Sequence, residues 1–348
     1  MMRFLALLLI FALIMACSSE EPQQPEPVTP PSETLRIYAL ESFRSSKLEA
    51  ALIPDFEKEY SCKVDLSLFA SREELLAAIL AKPDTVDLVL GIDNALAAAH
   101  DLQDYFKEHN PIHYQELIRD GIADENYCLI PYAYSYIGLL YNPQIVDQAP
   151  QSFGELQDPI YANQLALLNP QISAWGQTFL HYVVAVFNEE GLAPLFRAIR
   201  KNVCRSYSSS ATALNALQNG ECGMIFGMFS AAAWLHEQQP LLTPPIQMLL
   251  FQEGSYLYTE NVAQFKGSKQ DKLTNAFIKY LLGETAQSRI LYSSGLLPSN
   301  PKVILPQSFS NLTFSAFPQN ERLPQKLILT NNENWLQIWR RILGDFAR

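Results

Sequence analysis

Val86-Asp87-Leu88-Val89-Leu90-Gly91 decides the fold. A strand with one solvated face alternates apolar and polar residues. A near-continuous apolar run of this length marks a strand covered on both faces, as in a parallel sheet flanked by helices. The segments before it fit that setting. Ser71-Arg72-Glu73-Glu74 opens a helix with a capping box, Ser71 to Glu74, and Leu75, Leu76, Ile79 and Leu80 give that helix its apolar side. Lys63 to Phe69 alternates as a strand, and Lys47 to Tyr60 carries Leu48, Ala51, Leu52 and Phe56 at helical spacing. Leu35 to Leu40 reads as the first strand. The order β-α-β-α-β is a doubly wound α/β unit.

Downstream, Cys128 to Asn142 is a long strand-like segment whose Tyr132, Tyr134 and Tyr136 alternate onto one face. At Leu165 the pattern restarts. A strand to Leu168 leads into a helix through Phe187. A strand at Val203 to Tyr207, a helix at Ala211 to Gln218 and a strand at Gly223 to Gly227 follow. Ile246 to Phe251 and Glu260 to Phe265 read as further strands, and Asp271 to Leu282 as an apolar-faced helix. Glu333 to Phe346 closes the chain as an amphipathic helix carrying Trp335, Leu336, Trp339 and Leu343.

The other end has a different character. Met1, Met2 and Arg3 precede an apolar run from Phe4 to Ala16, shorter than the roughly 20 residues a membrane-spanning helix needs. This layout is a secretory signal. Its final Ile14-Met15-Ala16-Cys17 resembles the bacterial lipoprotein signal, in which the cysteine becomes an acylated, palmitate-bearing N-terminus. The segment to Thr34 holds Pro22, Pro25, Pro27, Pro30 and Pro31 among glutamates, so it reads as an extended tether. The division is therefore a signal peptide at 1–16, lipidated Cys17 with a tether at 17–34, and a body of ~310 residues, long enough for two lobes.

The net charge of −11 disfavours nucleic acid, which needs a basic footprint. Cys62, Cys128, Cys204 and Cys222 make an even count that permits disulfides outside the cytoplasm. Cys204 and Cys222 flank a predicted helix; free, buried thiols are the equal alternative. No pair has zinc-site spacing, and no metal or cofactor is expected.

Several stretches, taken in order, resemble the periplasmic solute-binding proteins of ABC importers, and within them the thiamine-binding protein family. They are Tyr38 to Phe43, Val86 to Asn94, Pro131 to Tyr136 with Tyr141-Asn142, Gly220-Glu221, Glu253 to Leu257, and Trp335 with Trp339. The resemblance implies an α/β, two-lobe, type II periplasmic-binding-protein fold with a hinge and a C-terminal helix. It places lobe 1 at 35–131 plus 260–310 and lobe 2 at 132–259 plus 311–348, with crossings near Pro131 to Tyr134 and Tyr256 to Asn261. It further implies a monomeric, non-enzymatic receptor that binds a small solute and partners a permease and its ATPase.

In open α/β sheets ligands bind beyond the carboxyl ends of the strands, where helices begin. The residues expected there are Glu41, Ser42, Ser71, Arg72, Asp93, Tyr134, Ser173, Trp175, Tyr207, Ser209, Phe229 and Ser230. Helix starts and Arg72 suit an anionic part of a ligand, and Glu41 and Asp93 a cationic part. Trp175, Tyr207 and Phe229 suit stacking on a heterocycle. Each has a plainer role. Ser71, Ser173 and Asp93 fit helix capping, Arg72 a solvated first turn, and Tyr134 the crossing strand. Trp234, on a predicted helix, reads as packing. The chain also departs from the thiamine-binding pattern. Ser210, Met228 and Leu296 stand where that family has aromatics, Ser71 where it has an acid, and no tryptophan precedes Trp175. Either Trp175, Tyr207 and Phe229 rebuild the cage or the solute differs. A polyamine or ferric iron are the alternatives, and iron binders of this class typically carry an adjacent Tyr-Tyr pair that this chain lacks. An exported hydrolase using Ser208 to Ser210 would need a G-x-S-x-G elbow, which is missing.

Overall fold

The computed structural model describes residues 33–346 apart from 83, 242–244, 311 and 313–317. The expected signal peptide, Cys17 and nearly all of the tether lie outside the described residues; strand structure begins at Thr34. The strands are β1 Thr34–Leu40, β2 Lys63–Phe69, β3 Leu88–Asp93, β4 Ile130–Tyr141, β5 Leu165–Leu168, β6 Val203–Tyr207, β7 Met224–Met228, β8 Gln247–Leu249, β9 Leu257–Gln264 and β10 Leu297–Pro298. The α-helices are α1 Glu41–Ser45, α2 Leu48–Tyr60, α3 Arg72–Leu80, α4 Asn94–Ala99, α5 Ala174–Ile199, α6 Ser210–Gln218, α7 Ser230–Gln238, α8 Asp271–Leu281, α9 Glu284–Ser294, α10 Gln307–Ser310 and α11 Gln325–Leu343.

The main path of the sheet runs β2-β1-β3-β9-β4-β7-β5-β6, with β8 and β10 both paired to β4. Each end is a parallel wing: β1 pairs with β2 and β3, and β5 pairs with β6 and β7. Two antiparallel strands, β9 and β4, join the wings. β4 changes partner partway: Ile130 to Tyr136 face β9, while Ile137 to Tyr141 face β7. This is a mixed α/β fold of the type II periplasmic-binding-protein kind, in which one long strand belongs to both wings.

The opening hexapeptide behaves as its composition requires. Leu88 and Leu90 enter one core, and Val89 and Ile92 enter another on the opposite face. Strict alternation would put Val89 and Ile92 on different faces. They share one because Gly91 is an extra residue: β9 pairs Val262 with Leu90 and Asn261 with Ile92, leaving Gly91 unmatched. Its φ of 86° lies in the left-handed region that glycine tolerates. A second bulge sits across β9. Pro131 pairs with Asn261 and Ala133 with Glu260, so Tyr132 is the unmatched residue on β4.

The Ser71 half of the capping box at α3 forms as expected, while the return contact from Glu74 falls one residue earlier, on Ala70. Glu74 N–H donates to Ser71 Oγ at 3.2 Å, and the Glu74 carboxylate accepts from Ala70 N–H at 3.0 Å. Ser71→Ala is expected to cost about 1 kcal/mol, read as a lower urea midpoint at unchanged slope. Helix α5 runs past Phe187 to Ile199, but with a break at Asn188, where φ is 57° and ψ −179°. α11 starts eight residues before the expected Glu333, at Gln325.

Candidate functional site

The first surprise of the site is what Arg72 and Asp93 do to each other. Arg72 is the first residue of α3 and Asp93 the N-cap of α4. Their side chains are 9% and 4% exposed. Arg72 Nε donates to Asp93 Oδ2 at 3.1 Å, and Nη2 donates to Oδ1 at 3.0 Å and Oδ2 at 2.8 Å. Nη2 also donates to Gln177 Oε1 of α5 at 2.8 Å, which ties the two wings together. Asp93 further accepts from Leu96 N–H at 2.8 Å. The charges read from sequence as facing opposite ends of a ligand are thus turned on one another.

A cleft of about 570 Å³ opens between α1 on one wing and the starts of α5, α6 and α7 on the other, with the end of α9 at its edge. Ser42 and Lys47 line one wall; Trp175, Ser210 and Trp234 line the other; Tyr292 and Leu296 come from α9 and its exit. Helix starts converge there because β1, β5, β6 and β7 all end at this side. Three aromatics face the space: Trp175, Trp234 and Tyr292. Trp175 packs against Gly227, where an added Cβ would come within 2.6 Å of the indole. Trp234 Nε1–H donates to the Tyr292 carbonyl at 2.9 Å, and Gln238 donates to the same oxygen at 3.3 Å. That carbonyl is in the last turn of α9, without a helical partner, so the contact satisfies it and links α7 to α9.

A smaller pocket of about 110 Å³ adjoins the cleft and shares Ser42, Ser46, Glu260 and Ser294 with it. Its other walls are mainly apolar: Leu40, Phe43, Leu48, Leu90, Gly91 and Tyr132. Glu260 of β9 stands at the junction. Tyr132 Oη donates to Glu260 Oε2 and Tyr258 Oη to Glu260 Oε1, each at 2.9 Å. Burial pushes the Glu260 carboxyl above its ordinary range, and the two hydroxyls only partly offset that. The same burial, with the carboxylate alongside, pushes both tyrosine hydroxyls well up.

Among the residues expected from sequence, Ser42 and Trp175 line the cleft. Glu41 is exposed beside Ser42, 3.9 Å from Arg44. Ser71 caps α3, and Ser173 caps α5 by accepting from Gly176 N–H at 3.4 Å. Ser209 is the exposed N-cap residue of α6. Ser230 is buried with its Oγ 2.8 Å from Ser135 Oγ, and Phe229 belongs to the main core. Tyr207 packs in a separate apolar cluster with Arg205 over its ring. Tyr134 is buried edge-on to Tyr136, and burial pushes its hydroxyl up to about 12. Sequence reasoning placed no site residue at Lys47, Tyr132, Glu260 or Tyr292, and read Trp234 as packing. The available signal was a lone acid in an otherwise uncharged strand, Leu257 to Gln264.

Cys62, Cys128, Cys204 and Cys222 are all free thiols. Among the described residues no cluster of three or more His, Cys, Asp or Glu side chains is placed to hold a metal, and no helix is long and apolar enough to cross a membrane.

Comparison with known proteins agrees with this geometry. Residues 84–321 match the family of bacterial extracellular solute-binding proteins. A thiamine-binding periplasmic protein of Brucella suis is 24% identical over 319 residues, covering 90% of this chain and 93% of the relative. Among solved structures, a periplasmic thiamin binding protein superposes with a TM-score of 0.75 at 20% identity, covering 91% of this chain and 99% of that one. The apo ferric ion-binding protein A of Pasteurella haemolytica also reaches 0.75, at 14% identity and the same coverage.

Proposed function

The chain belongs to the bacterial extracellular solute-binding protein family, and from that membership we propose that it is the lipid-anchored receptor of an ABC importer, closing on thiamine or a thiamine phosphate. In this reading Cys17 carries the acyl anchor, the proline-rich segment holds the body clear of the membrane, and the loaded receptor docks as a monomer on a permease with its ATPase. The lobes are 35–131 with 260–310 and 132–259 with 311–348. β4 and β9 are the hinge, since they are the strands that join the two wings.

The cleft carries the reading. Its volume of about 570 Å³ falls in the usual range for small-molecule sites, about 300–1,000 Å³. Trp175, Trp234 and Tyr292 offer faces for a flat heterocycle and attract cations. Ser210 and Leu296, where the thiamine-binding family has aromatics, both line this cleft. The stacking surface is therefore supplied from neighbouring positions on the same walls.

Two measurements test the proposal. The purified, unlipidated protein is expected to bind thiamine or its monophosphate with Kd on the order of 1 μM or below, with a smaller radius of gyration in solution scattering when loaded. Labelled palmitate is expected on the wild-type chain and not on Cys17→Ser. Saturating ligand without a calorimetric signal or compaction would remove thiamine from the assignment.

A further inference from the structure

Resting on the reading of the cleft as a solute site, we propose that Glu260 is its charge-selecting residue and that the pocket beside it takes a cationic end of the solute, a protonated amine or a comparable N–H-bearing group. Three independent features converge on this carboxylate. The first is backbone construction. Bulges flank β9 on both sides, Gly91 opposite the Val262–Asn261 step and Tyr132 opposite the Asn261–Glu260 step. Bulges re-aim side chains, and here the one at Tyr132 brings that hydroxyl to Glu260 and not to the Tyr134–Tyr136 face. A side chain at Gly91 would stand 3.7 Å from the same hydroxyl.

The second is hydrogen-bond inventory. Each carboxylate oxygen accepts one tyrosine O–H, which leaves a further lone-pair site on each. No basic side chain among the described residues pairs with it; Asp93, the other charge that acts on it, is also acidic and is already matched by Arg72. Glu260 is part-buried and lines both cavities, so a carboxylate there with open lone pairs and no basic partner among the described residues suits a positive partner from outside. The third is size. A cavity that holds benzene measures on the order of 150 Å³. At about 110 Å³ the pocket admits an ammonium or the amino-bearing edge of a ring, while a whole heterocycle has to lie in the larger cleft among the aromatics.

The test is a binding panel on the purified protein, with thiamine, spermidine and putrescine as cations and citrate and a hexose phosphate as anions. Glu260→Gln keeps the shape and removes the charge. Cation affinity is expected to fall on the order of 100-fold in this variant, with no loss for anions. Should Glu260→Gln not fold, Glu260→Asp keeps the charge but withdraws it by one methylene, and a fall of about tenfold is expected. The proposal is overturned if either folded variant binds the cation within threefold of wild type, or if wild type binds only anions. That last result leaves the cleft reading standing. A wild-type protein that binds nothing in the panel sinks both.

Discussion

Arg72→Ala is expected to destabilise the protein by about 3–5 kcal/mol, the range for stripping one partner from a buried ion pair. Three donor contacts from Arg72 reach the two oxygens of Asp93, and a fourth reaches Gln177. Without the guanidinium, Asp93 keeps only its bond from Leu96 N–H inside a region where water cannot replace the rest. The Gln177 carbonyl loses its partner at the same time. Removing both charges is a smaller insult than removing one. Arg72→Ala/Asp93→Ala is therefore expected to cost less than the sum of the single variants, by more than roughly 1 kcal/mol, even though Asp93→Ala also strips the cap of α4. Urea unfolding of the four proteins gives the cycle. A loss under about 1 kcal/mol for Arg72→Ala would falsify the buried network. The same geometry predicts that Arg72 contributes to binding through wing position, because most of its donors are already engaged with Asp93 and Gln177.

That pair also shows what one-dimensional reading can and cannot reach. The helix cap at Ser71, the apolar run of β3 and the two βαβ patterns are local or periodic, and the structure contains them at the expected places. Arg72 meeting Asp93 is a matter of β2 and β3 ending at the same edge of the sheet on either side of β1, which no spacing encodes. The tyrosines of β4 illustrate a second limit. Period-two reasoning puts Tyr132, Tyr134 and Tyr136 on one face, yet one unmatched residue at Tyr132 breaks the period. Glu260 escaped notice for the same reason, since a single acid in a strand looks like an ordinary solvated position until two bulges are seen around it. The start of α11 was hidden by Thr330-Asn331-Asn332, which reads as a helix-breaking cluster. In the fold Asn332 is a buried helical residue, and Ile328 extends the apolar side a turn further back.

The partner that permits a buried Asn332 is His181, and it gives the second large effect. Lowering the pH from about 6.5 to about 4 is expected to remove about 3 kcal/mol of stability through this one residue. His181 is 0% exposed on α5, with its ring edge-on to Trp335 and Tyr256. Nε2 lies 2.9 Å from Asn332 Oδ1, so with that amide orientation it carries the proton and donates. Nδ1 is buried with no partner in the structure. Charging the ring would put a second N–H, and a positive charge, where nothing accepts either. Burial accordingly pushes the imidazole down to about 4, against a bond to Asn332 that acts weakly in the other direction. The unfolded chain takes up its proton near the ordinary value of about 6.5. Between those two values the unfolded state binds more protons, so stability is complete above the upper one and declines as pH falls toward the lower. Glu260 and Asp124, whose carboxyls burial pushes up, act with the opposite sign, losing stability as pH rises through their raised range. The wild-type curve is the sum, and the difference between wild type and His181→Gln isolates the histidine. That difference should shrink by about 3 kcal/mol from pH 7 to pH 4 in urea titrations. A pH-independent difference would mean that His181 reaches solvent and charges freely in the folded protein.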